Sequence, residues 1–242
     1  MTNTAAPLFE RLIGAGDPRD FPDWRNQDGY YVAKCRVSAD DVPGLIAIAE
    51  KWMDPDWTNE CVSRVGREDA ELLPVTAWRT LAELKNDAAV KPLVDILCAL
   101  NDECGEWASE ELPHVFGKIG ESTIEPLFGV ISEESFPDVI RSNAVRGLRQ
   151  VVDYHPYTRD RIVPILVDWM ARAGSGHRDF NTDLMVELTE LHAVEAAEPI
   201  ERAFAADLLD VGVIGDWEEV RRILGVEGLG LKMPDHPQNS IT

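Results

Sequence analysis

The chain has 242 residues, 45% hydrophobic and 28% charged, enough apolar side chain for one sizeable core or one continuous array of repeats and too much for disorder. Its 44 acids against 23 bases give a net charge of −21, which repels nucleic-acid phosphates and anionic membrane surfaces, accommodates a basic partner more easily, and also serves plain solubility. No stretch approaches the roughly 20 consecutive apolar residues of a spanning helix, and the opening MTNTAAPLFERLIGAGD has no basic region ahead of a long apolar run, so a cytoplasmic protein with no membrane partner is expected.

Residues 1–40 do not repeat; Phe21, Trp24, Tyr30 and Tyr31 gather there among Pro18, Pro22 and Gly29. The pattern fits an irregular aromatic cap that covers the unpartnered end of an array, with a ligand platform built on Trp24 and the tyrosines as the alternative. The stretch DDVPGLIAIAEKWM reads as a degenerate first helix with Pro43 in its opening turn.

Four segments then share one plan of apolar helix, short turn and a second helix opening on proline. They centre on Pro92, Pro126, Pro164 and Pro199, at spacings of 34, 38 and 35 residues. Proline is tolerated in a first turn, where its missing N–H has no intrahelical partner to lose, so its recurrence predicts helix starts in one register. Stripes at three- and four-residue steps follow, such as Leu93, Ile96, Leu97 and Leu100, or Ile162, Ile165, Leu166 and Trp169. The first helices carry equivalent stripes: Val75, Trp78, Leu81 and Leu84; Leu112, Val115, Phe116 and Ile119; Ile140, Ala144, Leu148 and Val152; Leu184, Leu188 and Leu191.

The turns are short, with Gly120 expected to end one helix and Thr158 to cap another. Asp216 reads as the cap of a closing helix that ends near Leu224, and residues 226–242 hold little to bury and form a flexible tail. One hairpin of this length cannot bury its own apolar face, so the expected fold is an all-α solenoid of about five hairpins over residues 41–225.

LLPVTAWRTLAELKNDAAVKPLVDIL, EELPHVFGKIGESTIEPLFGVI and DVIRSNAVRGL together resemble the HEAT-repeat superfamily, and in particular its phycobilisome-lyase HEAT-like branch. The last piece is similar to that family's V-R-x-x-A helix opening at Ile140, Arg141 and Ala144; elsewhere Pro74 and Glu110 take comparable places, so the array is divergent. The resemblance implies a binding scaffold, and it makes Arg141 an internal brace. Its enzymatic branches supply the competing expectation, a solenoid that holds a cofactor or nucleic acid in the manner of a bilin lyase or a DNA glycosylase.

The residues point away from chemistry. His114, His155, His177, His192 and His236 form no H-E-x-x-H, and no G-x-S-x-G or phosphate-cradling G-x-x-x-x-G-K-[ST] occurs. His114 lies one turn after Glu110 and Glu111, a spacing that would place a carboxylate beside the imidazole and raise its pKa, although helix-surface pairs of this kind are common. Cys35, Cys61, Cys98 and Cys104 match no zinc-ligand spacing, and reduced thiols are expected. Trp78, Trp107, Trp169 and Asp168 supply residue types a glycosylase needs, but residues 181–220 hold eleven acids against Arg202 alone, the reverse of a phosphate-binding groove.

A scaffold without catalytic residues, metal or cofactor is therefore expected, with a protein or peptide partner that basic charge would favour and nucleic acid disfavoured. The candidate partner-binding positions lie on the second helices: Lys91, Asp95, Glu125, Asp168 and Glu201. Asp102, Glu103, Glu106, Glu110 and Glu111 form a candidate acidic patch, with a plain solvated face as its alternative. Arg146, Arg149, Arg159 and Arg161 form a candidate basic island, with ion pairs to acids of adjacent repeats as the alternative. A further expectation is acidic mimicry of nucleic acid that occupies a basic protein.

Overall fold

The computed structural model describes residues 6–54, 56–57, 59, 72–100 and 105–226, and among them there are helices and turns but no β-strand. The helices are α1 (Leu8–Ile13), α2 (Tyr30–Cys35), α3 (Val42–Ala49), α4 (Leu73–Leu84), α5 (Val90–Cys98), α6 (Gly105–Ile119), α7 (Ile124–Ser132), α8 (Asp138–Tyr154), α9 (Arg159–Ala171), α10 (Arg178–Glu190), α11 (Ala197–Ala205), α12 (Val211–Ile214) and α13 (Trp217–Ile223). Of the proposed tail, only Val226 lies within the described residues.

A feature absent from the sequence reading recurs at the start of each second helix. A one-turn 3-10 helix runs directly into α5, α7, α9 and α11, at Asp87–Ala89, Glu121–Thr123, Pro156–Thr158 and Val194–Ala196. These turns begin 34, 35 and 38 residues apart, and a fifth, Ala39–Asp41, precedes α3. The tight 3-10 turn reverses the chain between antiparallel partners within a few residues.

The prolines follow this register with one exception. Pro92, Pro126 and Pro199 are each the third residue of their α-helix, and Pro43 is the second of α3. Pro164 instead lies inside α9, five residues after its first residue, where it removes a ladder bond. Pro156 opens the 3-10 turn at that junction, so the longer link carries its own proline and Pro164 marks no helix start.

The capping expectations divide in the same way. Asp216 does cap α13, its carboxylate accepting from the Glu219 N–H at 3.2 Å. Thr158 caps nothing; its hydroxyl donates back to the His155 carbonyl at 2.8 Å. Gly120 closes α6 with φ of +99°, and a Cβ there would meet His155 Nε2 at 2.9 Å, so both backbone and space demand glycine.

The first helices lie side by side: α4 packs against α3 and α6, α6 against α8, and α8 against α10. Among the second helices, α5 rests on α6 and α7, α7 on α8, and α9 on α10 and α11. Contact between α6 and α8 is close at Gly117, where an added Cβ would stand 2.7 Å from Gln150 Cβ. Every residue of α4 from Leu73 to Ala82 is buried, which one apolar stripe cannot explain. The N-terminal segment supplies further cover, with α1 and α2 both against α4.

Candidate functional site: the polar seam under the N-terminal segment

The N-terminal segment is held mainly by side chains from three successive first helices that hydrogen-bond its main chain. Arg79 of α4 donates through Nη1 to the carbonyls of Pro18 (2.9 Å) and Phe21 (3.2 Å) and to the Tyr31 hydroxyl (2.8 Å). Lys118 of α6 donates to the Gln27 carbonyl at 2.7 Å and to Asp28 at 3.0 Å. Tyr154 of α8 donates to the Arg25 carbonyl at 2.9 Å, and Glu83 of α4 accepts from the Val32 N–H at 2.9 Å.

Arg79 and Lys118 are each 2% exposed, so their charges need internal partners. Arg79 has Glu111 of α6, whose two oxygens accept from Nε at 2.9 Å and Nη2 at 2.7 Å in a bidentate pair. Its guanidinium also lies 5.2 Å from the centre of the Trp24 ring, and the Lys118 ammonium lies 5.6 Å from the same ring. Burial pushes the Tyr31 and Tyr154 phenols up to about 12, which keeps both neutral, Tyr31 accepting from Arg79 and Tyr154 donating to the Arg25 carbonyl.

Trp24 is fully buried between these cations, so it is not available as a ligand platform. Tyr31 is buried too, and Tyr30 is stacked on Phe21 at 3.8 Å.

Two cavities flank the seam and share Arg25. One, about 300 Å³, is lined by Pro18, Arg19, Arg25, Arg79, Trp107, Glu110 and Glu111. The other, about 230 Å³, is lined by Arg25, Asn26, Asp28, Lys85, Lys118, Tyr154 and His155. His114 of α6 departs from expectation, for its pKa is lowered to about 4. Burial is the largest cause, and Arg25, Arg149 and Arg146 add to it, against a hydrogen bond with Gln150 that pulls the other way.

The second-helix positions proposed for a partner do not form one bare surface. Lys91 pairs with Asp95 at 2.6 Å, Glu125 with Arg161 at 2.6 Å and Asp168 with Arg172 at 2.6 Å, all exposed. Glu201 is only 9% exposed and drops out of any such face.

Of the acidic patch, Asp102, Glu103 and the Glu106 side chain lie outside the described residues, and Glu110 is exposed. Glu111 is no surface acid; it is 2% exposed and neutralises Arg79. The basic island resolves into ion pairs. Arg146 and Arg149 of α8 both bond Glu187 of α10, Arg159 pairs with Glu195 at 2.8 Å, and Arg161 reaches back to Glu125. Burial pushes the Glu187 carboxyl above its ordinary value against the pull of both arginines.

Arg141 is the internal brace that the resemblance implied. It is 2% exposed, donates to the Ile131 carbonyl at 3.0 Å, and lies 4.0 Å from the centre of the Phe180 ring of α10. Cys35 is buried and Cys98 half-buried, both as free thiols, while Cys61 and Cys104 lie outside the described residues. Among the described residues no group of three or more His, Cys, Asp or Glu could hold a metal ion, and no helix is long and apolar enough to cross a membrane.

Residues 39–231 match the family described as protein of unknown function, DUF1186. The chain belongs to this family. No curated protein and no solved structure gives a match.

In this DUF1186 chain the matched span contains α3 to α13 and with them Arg79, Glu111, Lys118 and Tyr154, while the segment they hold, residues 18–31, lies ahead of it. Sequence reasoning missed these seam residues. A signal was available: Arg79 and Lys118 stand directly beside stripe residues, Arg79 after Trp78 in VTAWRTLAEL and Lys118 before Ile119 in PHVFGKIG, and a charge on a buried face requires a partner.

Proposed function

We propose that the chain is a non-catalytic interaction module, a HEAT-like stack of helical hairpins that binds a protein or peptide along its second helices, in the cytoplasm. The observation that carries this reading is the recurrence of the 3-10 turn and α-helix junction at near-constant spacing before α5, α7, α9 and α11. Such repetition sets equivalent helices in series, and an extended row of equivalent positions suits a partner that contacts several repeats at once. The exposed charges Lys91, Asp95, Glu125 and Asp168 occupy α5, α7 and α9, each satisfied by a surface pair that is weak enough to exchange for a partner's groups. The net charge of −21 favours a basic partner.

The test captures partners from a native lysate at low and at moderate salt, then maps hydrogen exchange in the purified complex. Protection over α5, α7 and α9, weakened by the combined variant Lys91→Glu, Glu125→Lys and Asp168→Lys, is the expected result. No partner at either salt, or protection confined to other helices, overturns the proposal.

A further inference from the structure

The cavity of about 230 Å³ beside the seam reverses the sign of its surroundings. In a chain of net charge −21 it is lined by three cations, Arg25, Lys85 and Lys118, and one carboxylate, Asp28. Asp28 is already engaged, accepting from Lys118 at 3.0 Å, and Lys118 also bonds the Gln27 carbonyl and faces the rings of Trp24 and Tyr154. Those two charges cancel locally.

Arg25 and Lys85 are different. The Arg25 guanidinium stands 3.6 Å from Glu111 Oε1, but that oxygen already accepts from Arg79 at 2.7 Å. Lys85, exposed at the end of α4, has no ion pair among the described residues. Most other arginines of the described chain lie against a carboxylate, as Arg146, Arg149, Arg159, Arg161, Arg172 and Arg178 do. Lys85, which has no carboxylate partner among the described residues, and Arg25, which shares Glu111 with Arg79, thus line one cavity, with Asn26, Tyr154 and His155 as further polar walls.

The backbone of both residues is fixed. Arg25 sits in the one-and-a-half-turn 3-10 helix Pro22–Asn26, and its own carbonyl accepts from Tyr154 at 2.9 Å. Lys85 adopts a left-handed conformation, φ 49° and ψ 46°, that closes α4 with its N–H bonded to the carbonyls of Leu81 and Ala82. Lys118, through its hydrogen bond, and more weakly Lys85 hold the Asp28 carboxyl below its ordinary value.

We propose that this cavity binds a small phosphate monoester. Its size selects a small ligand: about 230 Å³ is several times the roughly 30 Å³ share of one water but below the ~300–1,000 Å³ of pockets for drug-sized molecules. Its charge selects a dianion. A phosphate monoester carries about −1.5 to −2 at neutral pH and matches the unpaired Lys85 together with Arg25, whose one carboxylate is shared with Arg79, whereas a monocarboxylate matches only one of them. The guanidinium fork of Arg25 suits two phosphate oxygens at once and Lys85 adds a point charge. The remote acids do not prevent this, since physiological salt screens charges beyond about 8 Å.

The test is calorimetric titration of the full chain at constant ionic strength with inorganic phosphate, glycerol phosphate, acetate and chloride. Saturable one-site binding is expected for glycerol phosphate and for inorganic phosphate, with acetate weaker and chloride silent. Lys85→Asn removes a charge with a residue that tolerates the left-handed conformation, and Arg25→Gln removes the fork; each should weaken phosphate binding by roughly tenfold, the loss of one charge-assisted contact. Absence of saturable binding by either phosphate, acetate binding as tightly as phosphate, or unchanged affinity in Lys85→Asn overturns the proposal. None of these readouts depends on a protein partner, so the outcome is separate from that of the interaction module.

Discussion

Replacing Arg79 with methionine removes the guanidinium that joins α4, α6 and the N-terminal segment. The loss is more than one ion pair. Two bonds to Glu111, two to the carbonyls of Pro18 and Phe21, and one to the Tyr31 hydroxyl disappear together, and the Glu111 carboxylate stays buried with only Arg25, 3.6 Å away, as counter-charge. Breaking a buried pair by removing one partner costs about 3–5 kcal/mol. For a chain of this size that corresponds to a fall of roughly 6–20 °C in Tm.

The double variant Arg79→Met with Glu111→Leu separates the two contributions, because it removes the stranded charge but leaves the carbonyls unsatisfied. It should be more stable than Arg79→Met alone by about 2 kcal/mol, and still less stable than the native chain, since an unmade buried hydrogen bond costs about 1–3 kcal/mol. Urea unfolding followed by tryptophan fluorescence reads both, as Trp24 lies against the guanidinium. A cost below about 1 kcal/mol for Arg79→Met would refute the seam as a structural element, as would a double variant no better than the single.

Gly117→Ala places a methyl group 2.7 Å from Gln150 Cβ and from the Tyr154 ring, so α6 must move off α8; a loss of about 1–3 kcal/mol is expected, measured by the same unfolding assay. His114 is held neutral, its pKa lowered from 6.5 to about 4, so the stability it contributes is complete above pH 6.5 and is lost as pH falls from there towards 4. His114→Gln should therefore lose less stability than the native chain between pH 7 and 4.5, and a His114 imidazole, assigned by its loss in that variant, that titrates near 6.5 by NMR would contradict this. Lys91→Ala breaks only an exposed pair with Asp95 and should change stability by less than about 0.5 kcal/mol in thermal unfolding.

The helical class was legible because the period of apolar residues survives in most long helices; in α9 it departs from expectation, with Ile165 exposed and Trp169 only half-buried while Ile162, Val163, Leu166 and Met170 form the buried face. Trp78, Leu81, Leu112, Phe116, Leu148 and Leu188 are all buried as their stripes predict. Proline was a sound marker at Pro92, Pro126 and Pro199, where the lost N–H had no partner, and failed at Pro164, where packing tolerates an internal gap in the ladder. The 3-10 turns escaped notice since they have no shared residue type, only a shared length.

Charge was harder to read than period. Glu111 and Glu110 are adjacent and look equivalent in a list of acids, yet a rotation of about 100° along the helix sends one to Arg79 and leaves the other exposed. The arginines of α8 and α9 appear as an island only while the acids that meet them, Glu187 and Glu195, are more than 30 residues away in the chain. The seam was invisible for the same reason, because its acceptors are carbonyl groups of Pro18, Phe21, Arg25 and Gln27, which carry no side-chain signature.

Amide hydrogen exchange of the unmodified chain, resolved over residues 18–32, tests the arrangement of the seam most directly. Main chain gripped by Arg79, Lys118, Tyr154 and Glu83 should open only with the helices that hold it, so the Val32 amide and its bonded neighbours should exchange as slowly as α4 and α6. Exchange there as fast as in an exposed loop, while α4 and α6 stay protected, would contradict the account.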